Sequence, residues 1–166
     1  VEESKIVTRR LAADYEKTGK LPDDTPLMQS QGMELYTDAR NRETLGQSDH
    51  VGGVLKALLT ELHAGDYFAL LAFIEMNDAH QSTLQAIRTL VRDRTRAATC
   101  VGFGPRFLHS TGQAYQGGPN SGVFLQITGD HPEDPPVPAQ KDTSGPIKLP
   151  QARCAFEVLP VPRPRL

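Results

Sequence analysis

The residues best suited to chemistry lie in one run, GFGPRFLHSTGQAYQGG, at positions 102–118. His109 stands beside Ser110 and Thr111, with Arg106 three residues before it and Gln113 four after. On a helix, positions 106, 109, 110 and 113 share a face. That face would present a guanidinium, an imidazole, a hydroxyl and an amide. Arg suits an anion, Gln and Ser suit hydroxyl groups, and His moves protons near neutral pH. The set fits a polyhydroxylated, phosphorylated ligand. A lone histidine is more often structural, so the clustering carries the functional reading.

Gly102, Phe103, Gly104 and Pro105 precede this face. Glycines there allow close backbone approach to a ligand, and a helix N-terminus just beyond can hold an anion. The alternative is a tight strand-to-helix turn. Neither GxGxxG nor GxxxxGK[ST] is present, so no phosphate-loop motif decides between them. Glu75, at the end of a strand-like run, occupies a position where catalytic groups occur or where strand ends are simply polar. His50, His63 and His80 sit near helix ends among polar neighbours and are expected to face solvent, and His131 falls in a Pro-rich loop. There is no HExxH spacing and no GxSxG nucleophile elbow.

The elements that must position these residues are legible from periodicity. Residues 2–18 predict a helix, with Glu2 and Glu3 favouring its start and Gly19 its end. LPDDTP at 21–26 predicts a linker. MELYTD at 33–38 predicts a short strand, with Asp38 capping a short helix after it. Val51, Val54, Leu55, Leu58, Leu59 and Leu62 form one apolar stripe, the clearest helix of the chain. Gly65 and Asp66 end it. YFALLAFIE at 67–75 predicts a strand covered on both faces. Residues 78–97 predict a helix with Leu84, Ile87, Leu90 and Val91 inward. ATCVGFG at 98–104 predicts a strand, PRFLHSTGQAY at 105–115 a helix with Pro105 at its first position, and GVFLQIT at 122–128 a further strand. Such alternation predicts an α/β fold, a mostly parallel sheet with helices on both faces.

Bulk properties narrow the function classes. The chain has 166 residues, which suits one domain, and 38% hydrophobic residues suffice for a core. A net charge of −2 offers no basic field for a nucleic-acid partner. Arg88, Arg92, Arg94 and Arg96 lie close together, and with Asp93 among them they predict a solvated helix face. Cys100 and Cys154 form no CxxC pair, which argues against structural zinc and a secreted disulfide framework. Cys100 is expected to be a small buried residue. No apolar run approaches the roughly 20 residues of a membrane span, and the charged N-terminus lacks a signal-peptide core. A cytoplasmic location and no membrane partner are therefore expected. The chain begins at Val rather than Met, as expected of a piece of something longer. Residues 130–150, rich in Pro, Asp and Gly, predict a surface loop, and the final LPVPRPRL cannot propagate a helix.

At GFGPRFLHSTGQAYQGGPNSGVFLQIT the sequence resembles the isomerase half of the bifunctional transaldolase/glucose-6-phosphate isomerase proteins. The resemblance extends through GDYFALLAFIEMN, IRTLVRDRTRAATCVGFG and, more loosely, the YEKTGKLPDDTPL region. The opening Val1-Glu2-Glu3-Ser4-Lys5 is similar to the V-E-x-x-K end of the isomerase signature. The resemblance implies an SIS-like, Rossmann-like three-layer sandwich over 1–129, followed by a Pro-rich loop and irregular tail over 130–166. PIKLPQARCAFEVL is similar to a family helix interrupted by Pro146 and Pro150.

The activity so implied is aldose–ketose interconversion of glucose 6-phosphate and fructose 6-phosphate. It runs by ring opening and an enediol, with acid–base catalysis and no cofactor or metal. The resemblance implies His109 and Lys5 as catalytic residues, His109 in ring opening and Lys5 near the ring oxygen or phosphate. It implies Arg106, Ser110 and Gln113 as substrate-binding residues. The family's base glutamate and its Ser/Thr phosphate loop would precede Val1, so this chain alone is expected to be inactive. The transaldolase half and its Schiff-base lysine are absent from the 166 residues. The implied partners are a sugar phosphate and the rest of the isomerase/transaldolase chain. A rival reading is a non-catalytic regulatory module that binds sugar phosphates with the same face. A third is an oligomer-forming unit using the stripe at 51–62, for which packing on its own sheet is the alternative.

Overall fold

The computed structural model describes residues 2–19, 25–129 and 155–158. The Pro-rich loop at 130–150, the final LPVPRPRL and most of the 21–26 linker lie outside these residues.

The first helix, α1, spans Glu2–Thr18. Gly19 ends it at φ +66°, and its N–H donates to the Tyr15 carbonyl at 2.7 Å. Only a residue without a Cβ takes that left-handed conformation readily. Ile6 and Leu11 of α1 are exposed.

Two strands follow, β1 (Met28–Ser30) and β2 (Met33–Thr37), paired antiparallel with Ser30 opposite Met33. Gln31 and Gly32 both have positive φ, the backbone of a two-residue hairpin turn whose twist matches the strands. The sequence reading found β2 but not β1. Asp38 organises the next turn, accepting from the Arg40 and Asn41 amides at 2.9 and 2.8 Å. The short α2 (Arg42–Leu45) then begins after Asn41, so Asp38 shapes the approach rather than occupying the cap itself.

The stripe at 51–62 forms α3 (Val51–Thr60), as periodicity predicts. Val54 and Leu58 are fully buried, and Val51, Leu55, Leu59 and Leu62 pack partly buried on the same core. The stripe packs on the chain's own sheet, the alternative weighed for it. Strand β3 (Tyr67–Phe73) is buried along its five central residues, with Ala69, Leu70 and Ala72 wholly inaccessible.

Helix α4 (Asp78–Thr95) is capped by Asn77, whose side chain accepts from the His80 amide at 2.9 Å. It ends at Arg96, φ +60°. Leu84 and Val91 are buried, but Ile87 and Leu90 are 37% and 50% exposed. The expected four-residue inward face is therefore narrower. Helix α4 packs on β4 (Ala98–Phe103), the last strand of the sheet, and only the line facing that strand finds cover.

Strand β5 (Gly122–Thr128) matches the expected boundaries. A sixth strand, β6 (Ala155–Val158), was not expected, since this stretch read as an interrupted helix in an irregular tail. Phe156 and Val158 are β-formers, and pairing on both sides decides the conformation.

The sheet order is β1-β2-β6-β5-β3-β4. Strand β3 is parallel to both β4 and β5, with Leu71 opposite Gly102 on one side and Gln126 on the other. Strand β6 runs antiparallel to β5 and parallel to β2. The α/β expectation holds as a three-stranded parallel core extended by a mixed edge, antiparallel at β5–β6 and β1–β2 and parallel at β2–β6.

The two faces of the core differ. Phe68, Leu70, Ala72, Val123 and Leu125 share one cluster with the buried residues of α2, α3 and α4. Ala69, Leu71 and Phe124 form another with Tyr67, Cys100, Phe107 and Tyr115. The connections explain this. From β3 the chain passes through α4 to β4 on one side. From β4 it returns past β3 to β5 on the other side. Crossovers of one hand that step in opposite directions must run over opposite faces.

Candidate functional site

In open α/β sheets ligands bind beyond the carboxyl ends of the strands. The carboxyl ends of β3 and β4, whose connections run over opposite faces, carry the residues singled out by type.

The β4 exit is built around aromatic rings. Gly104 N–H donates to the Ala72 carbonyl at 2.7 Å, extending the pairing with β3 by one step. A Cβ on Gly104 would overlap the Phe73 ring, and one on Gly102 would stand 3.0 Å from the Phe107 ring. The space these glycines leave is filled by the chain's own aromatic side chains. The tight-turn reading of Gly102-Phe103-Gly104 therefore prevails over backbone contact with a ligand.

Beyond Pro105, residues Arg106–His109 form a 3-10 turn. The chain bends at Ser110, φ −125° and ψ −68°, and α5 follows over Gly112–Gly117. The single helix expected over 105–115 is thus two short pieces. Phe107 and Tyr115 both pack on the sheet. Eight residues of unbroken α-helix would leave them about 80° apart around the axis. The bend brings both rings to the same surface, 6.1 Å apart between centroids. Thr111 holds it, its hydroxyl donating to the Phe107 carbonyl at 3.2 Å.

The expected shared face consequently changes form. Arg106 and His109 stand at the two ends of the 3-10 turn. Ser110 lies at the bend and Gln113 on α5. Arg106 and Ser110 are exposed. These four positions lie on consecutive turns leaving β4. Lys5 lies on α1, outside this connection.

Beneath α5 the packing is polar as well as aromatic. Tyr115 meets Tyr67 and Phe124 at centroid distances of 6.2 and 5.3 Å. Its Oη lies 3.3 Å from Cys100 Sγ, and that thiol donates to the Phe68 carbonyl at 3.7 Å. Cys100 is thus half-buried and polar in its contacts, rather than a fully buried apolar residue. Burial first, then the bond to Cys100, pushes the Tyr115 phenol up to about 12. Burial and the nearby Cys100 also raise Tyr67.

The β3 exit holds a cluster that sequence reading only partly found. Glu75 is exposed, and its Oε2 accepts from Asn77 Nδ2 at 3.2 Å. His80, expected to face solvent, is half-buried with Nδ1 2.7 Å from the Glu75 carbonyl. A carbonyl only accepts, so Nδ1 carries the proton and Nε2 is left as the acceptor of the neutral ring. The available signal was the Glu75/Asn77/His80 spacing across a strand-to-helix junction.

The other histidines conform better. His50 is 73% exposed beside Asp49. His63 is 58% exposed, with Nδ1 2.7 Å from the Glu61 carbonyl. His131 lies outside the described residues. The Arg88–Arg96 cluster is a solvated face, as expected, with Arg92 paired to Asp93 at 2.7 Å. Among the described residues, no cluster of three or more His, Cys, Asp or Glu is arranged to hold a metal ion, and no helix is long and apolar enough to cross a membrane.

Comparison with family models, curated proteins and solved structures found no match to this chain.

Proposed function

We propose that this chain is the C-terminal, SIS-like α/β subdomain of a cytoplasmic glucose-6-phosphate isomerase of the transaldolase-fused kind. One observation carries the reading. The run bearing Arg106, His109, Ser110 and Gln113 leaves the carboxyl end of β4, the end of the parallel strands at which open α/β sheets take their ligands. The residue types complete the support. An exposed guanidinium suits a phosphate, a hydroxyl and an amide suit sugar oxygens, and an imidazole suits proton transfer.

In this reading Arg106 holds the anionic end of the sugar phosphate, and Ser110 and Gln113 orient its hydroxyls. His109 passes a proton to the ring oxygen as the C1–O5 bond opens, and the hydroxyl on C1 passes its proton to a water molecule to leave the free aldehyde. Lys5 stands near the ring oxygen or phosphate. The carboxylate that shuttles the proton between C1 and C2 comes from a preceding part of the protein. The purified 166-residue chain therefore shows no isomerisation.

The test is His109→Ala in an isomerase containing this segment. Turnover on the cyclic sugar should fall about a hundredfold, the usual contribution of one acid–base group, with far less loss on an open-chain analogue. Equal loss on both substrates removes the ring-opening role.

A further inference from the structure

The aromatic face suggests how the site-bearing turns are held in register. Helix α5 has only six residues, too few to be stable by its own hydrogen bonds. Its position must come from tertiary contacts. Ring packing fixes the distance of Tyr115 from the sheet but is tolerant of sliding. A hydrogen bond is directional.

The Cys100 thiol donates to the Phe68 carbonyl, so its sulfur is the acceptor for Tyr115 Oη–H. The chain of bonds runs from α5 through β4 to the backbone of β3, the central strand of the parallel core. Both ends of the bent segment are thereby anchored. Phe107 fits over Gly102 at one end, and Tyr115 is bonded to Cys100 at the other. His109, Ser110 and Gln113 lie between the two anchors.

We propose that Tyr115 is a positioning residue, whose hydroxyl bond to Cys100 sets the register of α5 and so the placement of Gln113, Ser110 and His109. The importance of that placement for sugar phosphates rests on the function proposed above. The positional claim itself does not.

The experiment compares backbone amide spectra of the 166-residue chain with those of Tyr115→Phe, Cys100→Ala and the double variant. Tyr115→Phe keeps the ring and removes only the hydroxyl. The amides of 108–113 should shift in both single variants; Tyr115→Phe also removes the hydroxyl's bond with Thr111, so the shifts it shares with Cys100→Ala report the Cys100 link, and the double variant should add nothing to Tyr115→Phe. Cys100→Ser, which restores a hydrogen-bonding atom, should return the 108–113 amides toward their original positions. Shifts confined to the immediate neighbours of 100 and 115 overturn the proposal. If Cys100→Ala does not fold, Tyr115→Phe and Cys100→Ser decide the matter alone.

Glucose 6-phosphate is then titrated into the original chain and Tyr115→Phe. Affinity should fall about three- to tenfold, the ordinary worth of one hydrogen bond. Absence of binding in the original chain refutes the sugar-phosphate reading and leaves the amide comparison standing. Binding that is equal in both, with unmoved amides, refutes the positioning role.

Discussion

The two faces of the β3-centred sheet are built by different means. One is aliphatic and dry. Val54, Leu58, Phe68, Leu70 and Ala72 are at most 1% exposed, and two amphipathic helices of 10 and 18 residues cover them. The other has only Ala69, Leu71 and Phe124 fully buried. Two short turns lie over it, held by ring edges and a thiol–phenol bond. The first arrangement gains from area and tolerates few changes of volume. The second gains from direction, and its stability is local. Candidate chemistry sits on the second, where turns can be placed finely without being part of the main core.

This contrast is broken most severely on the aliphatic side. Leu58→Ala should cost about 3 kcal/mol through lost transfer energy and a cavity. Denaturant unfolding should show a single weakened transition, since β2, α2, α3, β3, α4 and β5 all bury residues in that cluster. Phe107→Ala should cost less, about 2 kcal/mol, because the ring is half-buried. Its effect should also be regional, with amide exchange accelerated across 106–117 and little changed in α3. Uniform acceleration in both would show that the two faces are one cooperative unit.

A smaller effect distinguishes the faces by pH. The Tyr115 phenol ionises in the folded chain only near pH 12, against about 10 when unfolded. The unfolded state releases its proton first, so this contribution to stability is complete below pH 10 and is lost as pH rises from 10 toward 12. Tyr67, also raised, adds in the same direction. Unfolding free energy should thus fall over that window, and Tyr115→Phe should flatten the fall. An unchanged slope in the variant would place the titration elsewhere.

Much of the scaffold was legible because it is periodic. The α3 stripe, the unbroken run of β3 and the Gly-bounded β5 each follow from local spacing. What escaped depended on contacts distant in sequence. Ile87 and Leu90 belong to the apolar arc of α4 by spacing, yet α4 rests on an edge strand and buries only the line through Leu84 and Val91. Strand β6 is four residues long and is made by its neighbours β2 and β5.

The site was legible as residue types rather than as geometry. Arg106, His109, Ser110 and Gln113 were chosen by a helical face that the bend at Ser110 divides. That bend is imposed by Phe107 and Tyr115, whose partners lie on β3, β4 and β5. The roles of Gly102 and Gly104 likewise emerge only from the rings that fill their space. His80 was misjudged because its tie to Glu75 depends on how β3 turns into α4.

The central claim is that the turns leaving β4 form a sugar-phosphate site. The most direct test is a titration of the 166-residue chain with glucose 6-phosphate, followed by its backbone amide spectrum. Saturable shifts should concentrate in 102–118 and at the neighbouring β3 exit, 74–80, and should be lost in Arg106→Ala. Saturable shifts centred elsewhere, or no saturable shift at all, would contradict it.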